Sequence, residues 1–329
     1  MVRHALIFSG MIMIILTIIA CSVSRDTDYP QVVLSNDLFS VTIYLPEPTT
    51  GFYRSTRFDW SGIIKDVKYA GHTYYGEWQT PHDPLNFEQA VGPCETFGSP
   101  VPQGYAEAKP GETFIKIGVG HLEKFDDSEY AFYKSYKLVK PGRWTVKHGP
   151  DWIEFQQSLT DDRGWGYCYT KRIQLAADQP TFTMQHRLEN TGTRKIETNV
   201  YNHNFTIIDD EQIGPSYQVL FSFDIAARRD LKGVAQVAGN TVTFQKAVGD
   251  PIYTEIGGLS GSVTDGDFSI ENMKSGAGFK VSSNRVPAKI SFWTAPRALC
   301  PEPYIDLNIE PGEAFTWDLE YAFFVSKNR

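Results

Sequence analysis

"SLTDDRGWGYCYTKRIQLAADQPTFTMQHRLENTGTRKIETNVYNHNFTIID", residues 158–209, is the stretch whose reading decides the fold. Through "YTKRIQLAADQPTFTMQHRLENTG" β-branched and aromatic residues recur at period two, the spacing of a strand rather than a helix. Gly, Pro, Asn and Asp cut the run into short segments, which predicts strands joined by tight turns. At its end, "NVYNHNFTIID" (199–209) alternates so that Tyr201, His203, Phe205 and Ile207 share one face. Val200, Asn202, Asn204 and Thr206 take the other. An imidazole set between two amides and among rings is either a hydrogen-bonded core histidine or a proton-transfer group facing a pocket.

The same alternation continues on both sides, in "QVVLSNDLFSVTIYLP", "TFIKIGVGHLEKF", "WTVKHGPDWIEFQQSL" and "FTWDLEYAFFVS". Beyond the N-terminal segment nothing sustains an i, i+3, i+4, i+7 pattern over three turns, and no repeat of 20–50 residues is present. The expectation is one nearly all-β domain, residues 33–329, larger than an immunoglobulin-type sandwich and built as a many-stranded antiparallel sandwich with long loops.

The N-terminus reads as targeting rather than fold. Arg3 and His4 precede an apolar run from Ala5 to Ile19, and "IIAC" ends it at Cys21. A small residue before cysteine resembles a bacterial lipobox. Residues 1–20 are then a lipoprotein signal peptide, and residues 21–32 a tether whose Cys21 carries the lipid. The other reading is an uncleaved anchor, because the apolar run is borderline for spanning a bilayer. Either way the rest of the chain is expected outside the cytoplasm, in the bacterial cell envelope, periplasmic or at the outer membrane. The formal net charge of −8 argues against a nucleic-acid partner and against direct binding to anionic lipid. Cys94, Cys168 and Cys300 lack C-x-x-C spacing, so no zinc site is expected, and one disulfide or three buried thiols both remain open.

Several residues carry chemistry in their type. "GFYRSTRFDWSGII" (51–64) sets Arg57 and Asp59 among rings. Guanidinium donors suit sugar hydroxyls, although an Arg57–Asp59 pair on a surface strand explains the same letters. Glu95, in "NFEQAVGPCETFG", is either a ligand contact or a solvated loop charge. His121, in "GVGHLEKF", is either a site residue or a satisfied neutral histidine. Glu302 lies between two prolines that bias the backbone toward extended geometry, and on sequence alone it is expected to be exposed.

In its order of motifs the 158–209 run resembles the central segment of the aldose 1-epimerases, or galactose mutarotases. The matching residues are Gly166-Tyr167, Asn190, and Asn202-His203 followed by Phe205. "LCPEP" (299–303) and "PGEAFTWDLEYAFF" (311–324) are similar to that family's "L-C-x-E" strand and closing "P-G-E" strand. The resemblance implies the family's large antiparallel super-sandwich. It also implies His203 as general acid and Glu302 as general base. The family's "H-G-G" loop has no counterpart string, and "VGPCETFG" stands in its place.

Mutarotation opens a cyclic hemiacetal and recloses it on the other face, so one group takes the C1 hydroxyl proton while another protonates the ring oxygen. A histidine and a partly desolvated glutamate suit this near neutral pH. The reaction needs no metal, nucleotide or other cofactor, and no phosphate loop or nucleotide fingerprint is present. Trp165, Tyr201, Phe52 and Trp60 are candidate platforms for a sugar face, and Asn202 a candidate hydrogen-bonding group. The implied partner is a sugar or oligosaccharide. Three readings follow: an anomer-interconverting isomerase, a non-catalytic carbohydrate-binding module on the same fold, or a polysaccharide lyase or hydrolase.

Overall fold

The computed structural model describes residues 29–326. The signal segment 1–20, Cys21 and most of the tether lie outside the described residues. Among those described there is no α-helix, only one 3-10 turn at Val263–Gly266 among 23 strands.

Two antiparallel sheets make the body. The larger has ten strands, with Ala314–Val325, Thr181–Asn190, Gly166–Leu175 and Trp152–Thr160 side by side toward one edge. Two of these, and the end of Trp152–Thr160, come from the stretch that opened the sequence reading, and short turns fold the three back as consecutive hairpins. In Gly166–Leu175, Tyr167, Tyr169, Lys171, Ile173 and Leu175 are buried, while the residues between them are partly exposed. The smaller sheet has six strands, with Lys289–Ala295, Ala298–Ile309, Ile196–His203 and Cys94–Phe97 adjacent in that order. Side chains such as Met184, Tyr321 and Phe323 from the first sheet meet Ile290, Phe292 and Leu299 from the second in one continuous core. This is the expected all-β sandwich. A four-stranded and a three-stranded sheet complete the structure.

The second face of the six-stranded sheet is not bare. The loop carrying Phe52, Tyr53, Phe58 and Trp60 covers it, together with Trp78, and forms a separate apolar cluster with Cys94, Phe205 and Cys300. The six-stranded sheet is therefore buried on both sides, and its alternation sorts polar residues into two different interiors.

One strand of this sheet is irregular where it matters. Ala298–Ile309 pairs with Ile196–His203 from Ile196–Ile309 as far as Tyr201–Tyr304, and pairing resumes at the Thr206–Leu299 bridge. Pro301 and Pro303 lie between, and proline has no N–H to give to the ladder. Asn204 Nδ2 fills part of this gap by donating to the Pro301 carbonyl at 2.7 Å.

Candidate functional site

His203 and Glu302 occupy the unpaired window. The antiparallel register that sets Tyr201 opposite Tyr304 also sets residue 203 opposite 302, on one face of the sheet. His203 Nε2 and Glu302 Oε1 lie 3.1 Å apart, with side chains only 3% and 5% exposed. Glu302 thus corrects the expectation of an exposed loop charge: its prolines hold it within a central strand.

Rings box the imidazole. Phe205 stacks on it at 3.9 Å between ring centres, Trp293 approaches edge-on at 5.2 Å, and Phe58 at 5.5 Å. Phe205 has φ +29°, a backbone value that side-chain-bearing residues rarely adopt and that persists only when surroundings impose it. Beside the pair, Tyr201 stacks on Tyr304 at 4.2 Å and its hydroxyl lies 3.4 Å from Arg57 Nη2. Arg57 Nη1 bonds Glu88 at 3.0 Å, and Arg57 also lies over Phe58 and Phe132.

Burial dominates the electrostatics here. It pushes Glu302 up to about 8, although Arg57 and Lys289 pull the other way. Burial, reinforced by Arg57, holds His203 well below the usual histidine range. At neutral pH the carboxyl therefore keeps its proton and the imidazole is uncharged. Glu302 Oε1 and His203 Nδ1 are buried with no hydrogen-bond partner, so the 3.1 Å approach is contact without good bonding geometry. Unpartnered polar atoms in so dry a place are costly.

The other face of the same sheet carries a different cluster. Glu95 sits opposite Asn202 in register and points into the space between the two sheets. It meets Lys171, accepts from Asn202 Nδ2 at 3.1 Å, and lies 2.7 Å from His186 Nε2. Lys171 also reaches Asp59 Oδ2 at 3.3 Å and donates to the Ser61 carbonyl at 2.7 Å. Ser61 in turn gives both its N–H and its hydroxyl to Asp59. Gly118, at φ +78°, lets its turn close over this group, because a Cβ there would stand 2.7 Å from Asp59 Oδ1. Burial opposes ionisation of Glu95, yet Lys171 and His186 outweigh it and hold the carboxyl at about 2. Asp59 is shifted upward by burial, Lys171 opposing and Glu95 adding to the rise.

The expected site residues therefore divide. His203, Glu302, Tyr201 and Arg57 come together. Asp59, Glu95 and Asn202 belong to the opposite face, within the closed ion cluster. Arg57 pairs with Glu88 rather than Asp59, and Glu95 is a buried strand residue rather than a solvated loop charge. His121 lies on the three-stranded sheet; burial lowers its basicity, and the nearby charges it feels are Asp161, Lys140, Arg163 and Asp162. Trp165 packs against Arg194 at 4.3 Å. Phe52 and Trp60 are 1% exposed: Phe52 is stacked between Tyr44 and His82, and Trp60 donates its Nε1–H to the Ser55 carbonyl. Both are packing residues rather than open platforms. Cys94, Cys168 and Cys300 are free thiols, the first and last buried.

Sequence reading missed Lys171 and His186, although a signal was present. Both stand in the inward phase of their strands, where Tyr169, Ile173, Met184 and Leu188 are apolar. Cys300 also went unassigned. His203, Cys300 and Glu302 place one ligand-type atom each within 4.8 Å of one another. The charge of Arg57 acts on all three, which works against a cation at that point.

No family model matches the chain, and no curated protein matches it in sequence. Solved structures do match in fold. A galactose mutarotase-like protein from Clostridium acetobutylicum superposes with TM-score 0.55 at 12% identity, over 90% of this chain and 95% of the other. A galactose mutarotase related enzyme from Lactobacillus acidophilus gives TM-score 0.53 at 12% identity, over 91% and 99%. An aldose epimerase homologue from C. elegans gives TM-score 0.53 at 12% identity, over 90% and 99%. Across nearly its whole described length, this chain shares its fold with the galactose mutarotase-like proteins.

Proposed function

We propose that the protein acts on a carbohydrate and interconverts its anomers by acid/base ring opening at His203 and Glu302. One observation carries the reading. A carboxyl pushed up to about 8 and an imidazole pushed down face each other at 3.1 Å on one sheet face, both buried. Pairs whose surroundings drive their proton affinities apart are suited to complementary acid and base roles.

In the resting state the proton sits on Glu302, which reverses the roles expected from the sequence. Glu302 then delivers its proton to the ring oxygen as the C1–O5 bond breaks. Neutral His203 takes the C1 hydroxyl proton as the carbonyl forms. Rotation about C1–C2 and reclosure return both protons to where they began. Each positioned group is expected to contribute about 10²–10⁴-fold. Arg57 and Tyr201 supply donors beside the pair, and the rings around His203 keep bulk water out.

The second reading, sugar binding without turnover, is favoured by one contact. His203 and Glu302 touch, so a pyranose enters between them only if the side chains part. NMR on freshly dissolved α-glucose and α-galactose distinguishes the two. Wild type is expected to speed anomerisation, His203→Ala and Glu302→Gln each to lower the rate 10²–10⁴-fold. The rate should fall as pH rises past about 8, where Glu302 loses its proton, and as pH falls below the histidine range, where His203 gains one. Saturable binding with buffer-level anomerisation sinks the catalytic reading. We place the protein at the bacterial envelope through a lipid on Cys21; incorporation of labelled palmitate that Cys21→Ala leaves intact overturns that placement.

A further inference from the structure

The described site is nearly closed, whereas the segment leading to Phe132 walls a wide opening. Between the loop at Pro100–Ala106 and the segment 124–130 is a cleft of 460 Å³, within the ~300–1,000 Å³ range of small-ligand clefts. Its walls include Tyr105, Tyr130, Lys124, Asp127 and Glu129.

The cleft is built rather than incidental. Lys124 is 7% exposed, and its Nζ donates to the carbonyls of Ala108 at 2.8 Å and Tyr105 at 3.3 Å. The same ammonium lies over the Tyr105 ring, 4.7 Å from its centre. The Tyr130 hydroxyl is buried with no hydrogen-bond partner. Its ring is fixed by stacking on Tyr136 at 5.3 Å and by an edge contact with Tyr105 at 5.3 Å. Rigid rings, a lysine and two acidic acceptors suit a neutral polyhydroxylated ligand with an apolar face. The mixed signs disfavour an ionic one.

The cleft also connects to the buried pair through the chain. Two residues beyond Tyr130, Phe132 lies 4.4 Å from the Arg57 guanidinium, and it remains 45% exposed. Arg57 reaches Tyr201, whose ring centre is 6.5 Å from that of His203. Burial raises the Tyr130 phenol, Tyr136 adds to the rise, and the charges of Arg57 and Tyr201 also act on it. One segment thus walls the cleft with Tyr130 and meets Arg57, a neighbour of the buried pair, with Phe132.

We propose that the Tyr105–Lys124–Tyr130 cleft is a second sugar subsite, so that the ligand is a neutral oligosaccharide. Its reducing-end residue lies over His203 and Glu302, and the adjoining residue fills the cleft. This rests on the anomer-interconverting reading for the identity of the first position, while the cleft itself is tested by binding. The full chain is titrated by calorimetry with glucose, maltose and maltotetraose, and with galactose and lactose. Within at least one series the disaccharide is expected to bind about ten-fold tighter than the monosaccharide, a gain of about 1.4 kcal/mol. Tyr130→Ala removes that gain and leaves monosaccharide affinity unchanged. Glu129→Gln, a substitution on an exposed side chain that should not affect folding, reduces the gain as well. Equal affinity across lengths overturns the proposal, as does a length preference that survives both variants, or no saturable binding of any probe. Length-dependent binding without anomerisation removes the catalytic reading and leaves the subsite standing.

Discussion

The two faces of the six-stranded sheet hold similar inventories and treat them in opposite ways. Toward the ten-stranded sheet, Glu95, Asp59, Lys171 and His186 are each met by a partner of complementary kind. On the other face, Glu302 Oε1 and His203 Nδ1 have none, and burial leaves both groups neutral. The first arrangement spends the Coulomb attraction of its ions on offsetting their desolvation. The second leaves its groups uncompensated. Burial alone does not separate the two faces; the hydrogen bonding of these carboxyl and imidazole groups does.

That contrast breaks most readily at Lys171. Lys171→Met leaves two carboxylates buried without their cation and is expected to destabilise the protein by about 3–5 kcal/mol. Chemical denaturation measures it, and a loss below 1 kcal/mol would show that the cluster is not the closed structural unit described. The opposite face should respond in the reverse sense. Because the folded state holds the Glu302 proton more tightly than the unfolded chain, wild type loses stability as pH rises from about 4.5 to about 8. Glu302→Gln removes this loss, so the variant should gain on wild type by on the order of 5 kcal/mol across that window. The opposing term from His203, whose depressed proton affinity costs stability as pH falls below 6.5, is present in both proteins and cancels in the comparison. Parallel stability–pH curves for the two proteins would refute the assigned proton.

Smaller effects sharpen the same picture. Asn202→Ala withdraws one donor from Glu95 and is expected to cost about 2 kcal/mol, since bonds to a charged acceptor exceed neutral ones. Arg194 pairs with Glu107 through two bonds of 2.6 Å at the surface, with side chains 37% and 50% exposed. Arg194→Ala should cost no more than about 1 kcal/mol, and less at high salt. If the exposed pair proves worth more than Asn202, the ranking by burial fails.

Much of this arrangement was readable in the letters. Period-two alternation gave the strands, and the order of motifs gave the sandwich. The phase that groups Tyr201, His203 and Phe205 correctly separated them from Asn202 and Asn204. What alternation does not carry is the identity of the layer each face meets. Both faces of this sheet are covered, so inward and outward lost their usual sense. Glu95 was read as a loop charge because glycine and proline surround its short strand on both sides. Glu302 was read as exposed for the same reason, although its prolines end a ladder rather than a strand. Lys171 and His186 were the legible clues left unread: a charge in the apolar phase of a strand requires a buried partner.

The gap at Pro301 and Pro303 has a mechanical consequence. Between the closed pairs Tyr201–Tyr304 and Thr206–Leu299 the fabric of the sheet has a slit, stitched at both ends and bridged within by the Asn204 side chain alone among the described residues. Each strand keeps its other neighbour there, Glu302 opposite Ser291 and His203 opposite Cys94, so the opening lies between two fastened edges. Under the proposed reading, a guest entering there works against ring packing rather than against the ladder.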